Sequence, residues 1–355
     1  MKNRFCLLAL GLAATIASVR AEPPATYADG RPQTLLRLNA EDQGVVLRHG
    51  GGPGDCDRRG AREAIVFADK GTYYLHYDGA GPRGWLACLA TSHDLVHWEK
   101  HGPVLDFGPP GQPDSASASA PWVIHDGAWW HMYYLGTPHV SPAPDFVPMF
   151  PYQTLTARSH SPAGPWEKEY DRAPFTAQPG TYYSSTASPG DLVKWHREFL
   201  MFFSASKEDH GTQRTLSLAR AKQLDGPWAV QPDPIFPPDE QVENSSLYFE
   251  RSTQTWFLFT NHIGINDRGQ EFTDAVWVYW SPGLNRWDRR NKAVVLDGRN
   301  CSWSHNCIGM PTVIRVGARL AVMYDAPGGD SISHMQRDIG LAWLALPLKI
   351  PVAAN

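Results

Sequence analysis

Ser92-His93-Asp94-Leu95-Val96-His97-Trp98 is the first of four segments in which a turn-forming run ends on tryptophan. The others are Ser161-Pro162-Ala163-Gly164-Pro165-Trp166, Leu224-Asp225-Gly226-Pro227-Trp228 and Ser281-Pro282-Gly283-Leu284-Asn285-Arg286-Trp287. Successive tryptophans stand 68, 62 and 59 residues apart. A recurring unit marks a repeat architecture, and one this long exceeds a hairpin but suits a four-stranded antiparallel blade with a long loop.

Upstream of each tryptophan comes an apolar strand, a tight turn and a strand rich in Tyr, Trp, Phe and Val, the residues that fill pleated, half-buried positions. The first unit reads Ala64-Ile65-Val66-Phe67, a turn to Gly71, then Thr72-Tyr73-Tyr74-Leu75-His76-Tyr77. The second reads Trp122-Val123-Ile124, His125-Asp126-Gly127, then Trp129 to Tyr134. Leu192-Val193 with Phe199 to Phe203, and Leu247-Tyr248-Phe249 with Trp256 to Phe259, continue the pattern. A fifth unit, Pro311 to Ile314 with Leu320 to Tyr324 and Ile339 to Leu344, is left a strand short. Gly44-Val45-Val46-Leu47-Arg48 is the strand expected to complete it. The expectation is an all-β, five-bladed β-propeller of four-stranded antiparallel blades. A β-sandwich has strands of similar spacing but gives no reason for a Trp at the same place in so long a unit.

Residues 1–21 combine Lys2 and Arg4, an apolar run from Phe5 to Ile16, and small residues at Val19 and Ala21, the pattern of a cleaved secretory signal. The run is well short of the roughly 20 residues that span a bilayer. The expected organisation is a signal peptide over 1–21 and one propeller domain over 22–355, in a periplasmic or secreted protein with no membrane association after cleavage. The net charge of −4, with no run of Lys or Arg, excludes a phosphate backbone as partner, so no nucleic acid is expected. Cys6 leaves with the signal, and Cys56, Cys88, Cys301 and Cys307 remain, an even number with three possible disulfide connectivities. The close pair Cys301 and Cys307 suggests a local staple, and Cys56 bridging to one of them is the alternative. Cys-x5-Cys without a second close pair is a poor zinc pattern. No metal or cofactor is expected.

In a blade, the start of strand one, the end of strand two and the following loop crowd one mouth of the channel. Glu63 and Glu243 open the first strands of two different blades, and a pair of carboxyls on opposite sides of one sugar is what glycoside hydrolysis requires: one acid for the leaving oxygen, one carboxylate for water or the sugar. Asp78 and Asp325 crowd them, and Arg62 and Arg337 stand near, which is how like groups acquire opposite roles. Asn244, His76, His262, His305 and His334 are candidate hydrogen-bonding partners of a substrate, Trp303 a candidate stacking face, and His210 a further residue of the mouth. Arg58, Arg59, Arg62, Arg83 and Arg337 also allow an anionic sugar.

Gly71-Thr72-Tyr73-Tyr74-Leu75 followed by the Ser-x-Asp-Leu-x-x-Trp segment at Ser92–Trp98 resembles the five-bladed propeller glycoside hydrolases of families 43, 32, 62, 117 and 130, and the resemblance runs through all five units. In family 43 a first-blade Asp, the base, stands eight residues before the turn Gly; Glu63 holds that place before Gly71. The second-blade Ala-Pro-Asp is here Ala120-Pro121-Trp122, and the third-blade general acid meets Ser188-Pro189-Gly190. Glu243, one blade later, is the candidate acid. The resemblance thus implies an exported glycosidase, exo-acting on plant or algal polysaccharide fragments, inverting, with oligosaccharide as partner and Glu63, Glu243 and Asp78 as catalytic candidates. The alternatives are a non-catalytic carbohydrate-binding propeller, prompted by the missing Asp and Glu, and a glycoside phosphorylase.

Overall fold

The computed structural model describes residues 26–27, 30–31, 33–172, 174–207 and 214–352. The expected export signal and His210 lie outside them. The described residues form twenty-two strands and two short 3-10 turns, Pro53–Asp55 and Pro238–Glu240, and no helix among them is long and apolar enough to cross a membrane.

The strands form antiparallel units in chain order. The first holds β2 (Ala61–Asp69), β3 (Thr72–Gly81), β4 (Gly84–Ser92) and β5 (Glu99–Pro103). The second holds β6 (Ser117–His125), β7 (Trp130–Thr137), β8 (Gln153–Ser159) and β9 (Glu167–Lys168), with β10 (Phe175–Thr176) also on β8. A short parallel pairing, Trp85 with Ser117 and Leu86 with Ala118, joins these two into one nine-stranded sheet. The third has a broken inner strand, β11 (Thr186–Ser188) and β12 (Leu192–Trp195), on β13 (Glu198–Ser206), then β14 (Arg214–Ala221) and β15 (Ala229–Val230). The fourth runs β16 (Val242–Glu250), β17 (Thr255–Ile265), β18 (Glu271–Ser281), β19 (Lys292–Leu296). The last holds β20 (Gly309–Val316), β21 (Arg319–Ala326) and β22 (Asp338–Ala345), and β1 (Glu41–Leu47) pairs with β22 as its outer strand, the place expected from the sequence.

Burial follows the seams between units. Leu86 and Ala87 pack on Met132 and Tyr134. Trp122 and Tyr133 meet Met201 and Phe203. Leu200 and Leu218 meet Leu258 and Tyr279, and Phe257 and Val278 meet Leu320 and Val322. Ala321 and Leu341 of the last unit then pack on Val66 and Leu75 of the first. Each sheet thus buries both faces against its neighbours, as layer packing demands.

A polar device repeats beneath these seams. Lys100, Lys168 and Lys292, each on an outer strand, are paired with Asp57, Asp114 and Glu240, each just ahead of its unit's first strand. Tyr77, Tyr134 and Tyr279 donate hydroxyl hydrogen bonds to the same three carboxylates at 3.2, 2.9 and 2.7 Å. All three carboxylates are fully buried, and the added phenol hydrogen bonds are what such a pair needs to offset its desolvation.

The inner strands carry a second repeat that builds the site. Glu63, Ala120, Asn244 and Met310 have φ of 47, 47, 61 and 53°, the left-handed region non-glycine residues rarely occupy, and each sits at a register shift in its first strand. Each bulged amide donates to a side chain of the preceding unit's second strand. Ala120 N–H goes to Asp78, Asn244 N–H to Ser204 at 3.0 Å, and Met310 N–H to Asn261 at 3.1 Å. Glu63 N–H goes to Asp325 of the last unit at 2.7 Å. The remaining seam has Leu135 at the acceptor position and Pro189, which has no N–H, at the donor position. Donor and acceptor are lost together, so no buried group is orphaned.

Candidate active site

Strand starts from all the units converge on a cavity of about 360 Å³, within the range of about 300–1,000 Å³ usual for small-molecule sites. Glu63, Ser119, Ser188, Glu243 and Met310 line it from the strand starts, and the segment Val147-Pro148-Met149-Phe150 supplies a further stretch of wall. Seven predicted residues line it: Arg62, Glu63, Asp78, Glu243, Asn244, His334 and Arg337.

The two glutamates are held differently. Glu63 projects from the bulge in β2, and its carboxyl makes no ion pair within reach among the described residues. Burial raises it to about 7, Glu243 and Asp325 push the same way, and Arg62 and Arg337 pull against them. Glu243, from β16, is ion-paired to Arg214 at 2.5 Å, and Arg214 also reaches Glu271 at 3.2 Å. Burial raises the Glu243 carboxyl above its ordinary value, with the Arg214 guanidinium pulling against it. Arg214 lies over the Phe150 ring at 4.7 Å, so its charge is fixed from both sides.

Asp78 and Asp325 occupy equivalent places in their units as acceptors of the next unit's amide. Asp78 lines the cavity, and burial followed by the nearby Glu63 raises it well above the ordinary carboxyl value. Asp325 is fully buried beneath the wall, holding Glu63 N–H on one oxygen and Arg337 Nε at 2.6 Å on the other. Arg62 lies over Trp85 at 4.9 Å and reaches His334 Nδ1 with Nη1 at 3.3 Å. A guanidinium only donates, so Nδ1 accepts and Nε2 carries the hydrogen. Burial, with Arg62, Arg337 and Arg214 close by, lowers His334 to about 3 and keeps it a neutral donor.

Besides Asp325, four more predicted site residues are not on the cavity. His76 lies two residues further down β3 than Asp78, buried against Phe67 with Nε2 at 2.9 Å from Pro162 O. His262 follows Asn261, so strand alternation turns it away; it stacks on Trp277 at 4.2 Å and bonds Tyr279 Oη at 2.8 Å. Trp303 packs in the core with Nε1 donating to Tyr324 at 2.7 Å, and His305 is exposed beside Asp330 at 3.0 Å. The arginines expected to allow an anionic sugar are largely engaged: Arg337 on Asp325, Arg59 on Asp145, Arg83 on the Phe107 ring. Arg214 was missed among the site candidates, and Glu271, a loop residue expected at the mouth, was given no role. Each opens the third strand of its unit, and an antiparallel third strand begins at the same mouth where the second ends.

No family model and no curated protein matches the sequence. Solved structures do. The protein is similar to BT0996 in complex with RGII, at 14% identity and TM-score 0.66, over 90% of its own length and 96% of the other's. Zg3597, a family 117 glycoside hydrolase of the marine bacterium Zobellia galactanivorans, aligns at 14% and 0.63 over 90% and 96%. A thermostable family-43 glycoside hydrolase aligns at 14% and 0.59 over 87% and 98%. At these identities the likeness is one of architecture: the protein shares its fold with solved glycoside hydrolases of families 117, 43 and 62.

Proposed function

We propose that the protein is an exported glycoside hydrolase, a single five-bladed propeller over residues 22–355 that removes terminal sugars from plant or algal polysaccharide fragments in the periplasm or outside the cell. The amide hydrogen bonds that pass from unit to unit, and return from Asp325 to Glu63, support the five-bladed reading. The observation that carries the activity is the pair of carboxyls from β2 and β16 on one cavity, one with no ion-pair partner among the described residues and raised by burial to about 7, the other ion-paired to Arg214. That asymmetry reverses the roles implied by the resemblance: Glu63 is the general acid that protonates the leaving oxygen, and Glu243 is the carboxylate that takes a proton from the attacking water. Inversion follows if about 6.5–9.5 Å separates them with sugar and water between. His334 Nε2–H and Asn244 supply hydrogen bonds to sugar hydroxyls, and the apolar segment Val147–Phe150 faces the ring's C–H surface.

An arabinanase of Cellvibrio cellulosa complexed with arabinohexaose and a GH62 α-L-arabinofuranosidase of Coprinopsis cinerea share the fold, which puts arabinose-containing glycans first on the panel. The test is sugar release from plant and algal oligosaccharides, with and without inorganic phosphate, beside Glu63→Gln and Glu243→Gln. The expected result is phosphate-independent release, abolished by either change and falling as pH rises through about 7 as Glu63 loses its proton. Glycan binding that survives both changes without turnover by the wild type overturns the reading in favour of a binding module; strict phosphate dependence overturns it in favour of a phosphorylase.

A further inference from the structure

All four cysteines among the described residues are thiols, and they fall into unlike environments. Cys301 and Cys307, neighbours in sequence, are engaged elsewhere. Cys301 Sγ lies 3.6 Å from Tyr324 Oη, while Cys307 Sγ lies 3.6 Å from Thr273 Oγ1 and accepts from Arg337 Nη1 at 3.0 Å. Cys56 and Cys88, distant in sequence, come close enough for each thiol to shift the other's titration, and Cys88 Sγ also donates to Leu86 O at 3.6 Å. Cys56 follows the turn Pro53–Asp55 and Cys88 lies in β4, both inside the apolar cluster that joins the first and last units. Gly79 of β3 lies against both, since a Cβ there would collide with the Cys56 carbonyl and with Cys88 Sγ.

We propose that Cys56 and Cys88 are a disulfide-forming pair that braces one wall of the cavity mouth. The oxidant is a disulfide, small-molecule or protein. The Cys56 thiolate attacks one of its sulfurs and expels the first thiolate. Cys88 then gives up its proton and attacks Cys56 Sγ, expelling the second. Two cysteine thiols are oxidised, one external disulfide is reduced to two thiols, and two protons pass to the leaving thiolates. The neighbouring Cys88 lowers the Cys56 thiol, while burial raises Cys88, which matches Cys56 as the attacking group.

The link fixes the stretch that carries the mouth. Asp57, next to Cys56, is held by Lys100 and Tyr77. Arg59 O accepts from Gln336 N at 2.6 Å, two residues from His334, and Arg59 Nη2 pairs with Asp145 at 2.6 Å, beside the wall residue Val147.

The full-length protein, purified without reductant and incubated with oxidised glutathione, is alkylated in denaturant, digested and mapped by mass. The expected result is one cross-linked peptide joining Cys56 to Cys88, lighter by two hydrogens than its parts, with Cys301 and Cys307 alkylated. Adding dithiothreitol lowers Tm by about 5 °C, and Cys88→Ala abolishes that response. Alkylation of both Cys56 and Cys88 after oxidised glutathione, or a link from either to Cys301 or Cys307, overturns the proposal. The peptide map on the wild type decides it even if Cys88→Ala does not fold, and it is independent of any glycosidase activity.

Discussion

Replacing Glu63 by Gln removes a carboxyl whose proton the fold holds far above its ordinary range. The carboxyl titrates at about 7 in the folded protein against an ordinary value of 4.5. A group whose folded value is raised contributes stability that is complete below the unfolded value and is lost as pH rises through the folded one. At about 1.4 kcal/mol per unit the displacement corresponds to about 3 kcal/mol, and contact of the side chain with cavity solvent reduces this to about 1–3 kcal/mol. Gln has nearly the same shape and never ionises, so the variant lacks this loss. Measured against wild type by urea unfolding, with the 14 tryptophans as the fluorescence signal, Glu63→Gln is expected to gain about 1–3 kcal/mol between about pH 5 and about pH 8. Such a gain on removing a catalytic group is the usual trade of stability for function. A pH-independent difference, or a variant that falls further behind wild type as pH rises, refutes the reasoning. Either result means that Glu63 is already ionised and satisfied in the fold, and Glu63 is then not the proton donor.

Ser204→Ala leaves the Asn244 amide without its acceptor at a buried seam and is expected to destabilise by about 1–3 kcal/mol in the same unfolding assay, with the neighbouring Glu243 displaced and activity reduced. Asp78→Asn keeps an oxygen for the Ala120 amide, so thermal unfolding is expected to change little, whereas Asp78→Ala is expected to lower Tm; equal effects would mean the charge, not the hydrogen bond, is what the fold uses. Lys292→Met strands the fully buried Glu240 beside Tyr279 and is expected to destabilise by about 3–5 kcal/mol, with partial recovery in Glu240→Gln/Lys292→Met.

The repeat was legible because it is written in local chemistry. The turn runs ending at Trp98, Trp166, Trp228 and Trp287 and the aromatic second strands recur at a readable period, and the stretch Gly44 to Arg48, expected to complete the last unit, overlaps the strand Glu41–Leu47 that pairs there. Placement at the mouth followed from strand direction alone, which is why Arg62, Glu63, Asp78, Glu243, Asn244, His334 and Arg337 were found on one cavity. Alternation misled at His262, because the position is right along the strand and wrong in facing. Arg214 escaped because third strands were not followed back to the mouth at which they begin.

What the sequence determined by itself is the kind of unit and the carboxyls at strand starts, since turn residues and period-two patterning act over a few residues. Which carboxyl keeps its proton, which thiols meet, and which side chains clasp the next unit's bulged amide were decided by the tertiary structure. Those properties depend on groups from distant units. Arg214 pairs with Glu243 across the third and fourth units, Asp325 holds Glu63 across the junction of last and first, and Cys56 nears Cys88 through the packing under Gly79. Burial and charge act through space over a few ångströms, and sequence spacing carries no record of distances that the closed packing alone creates.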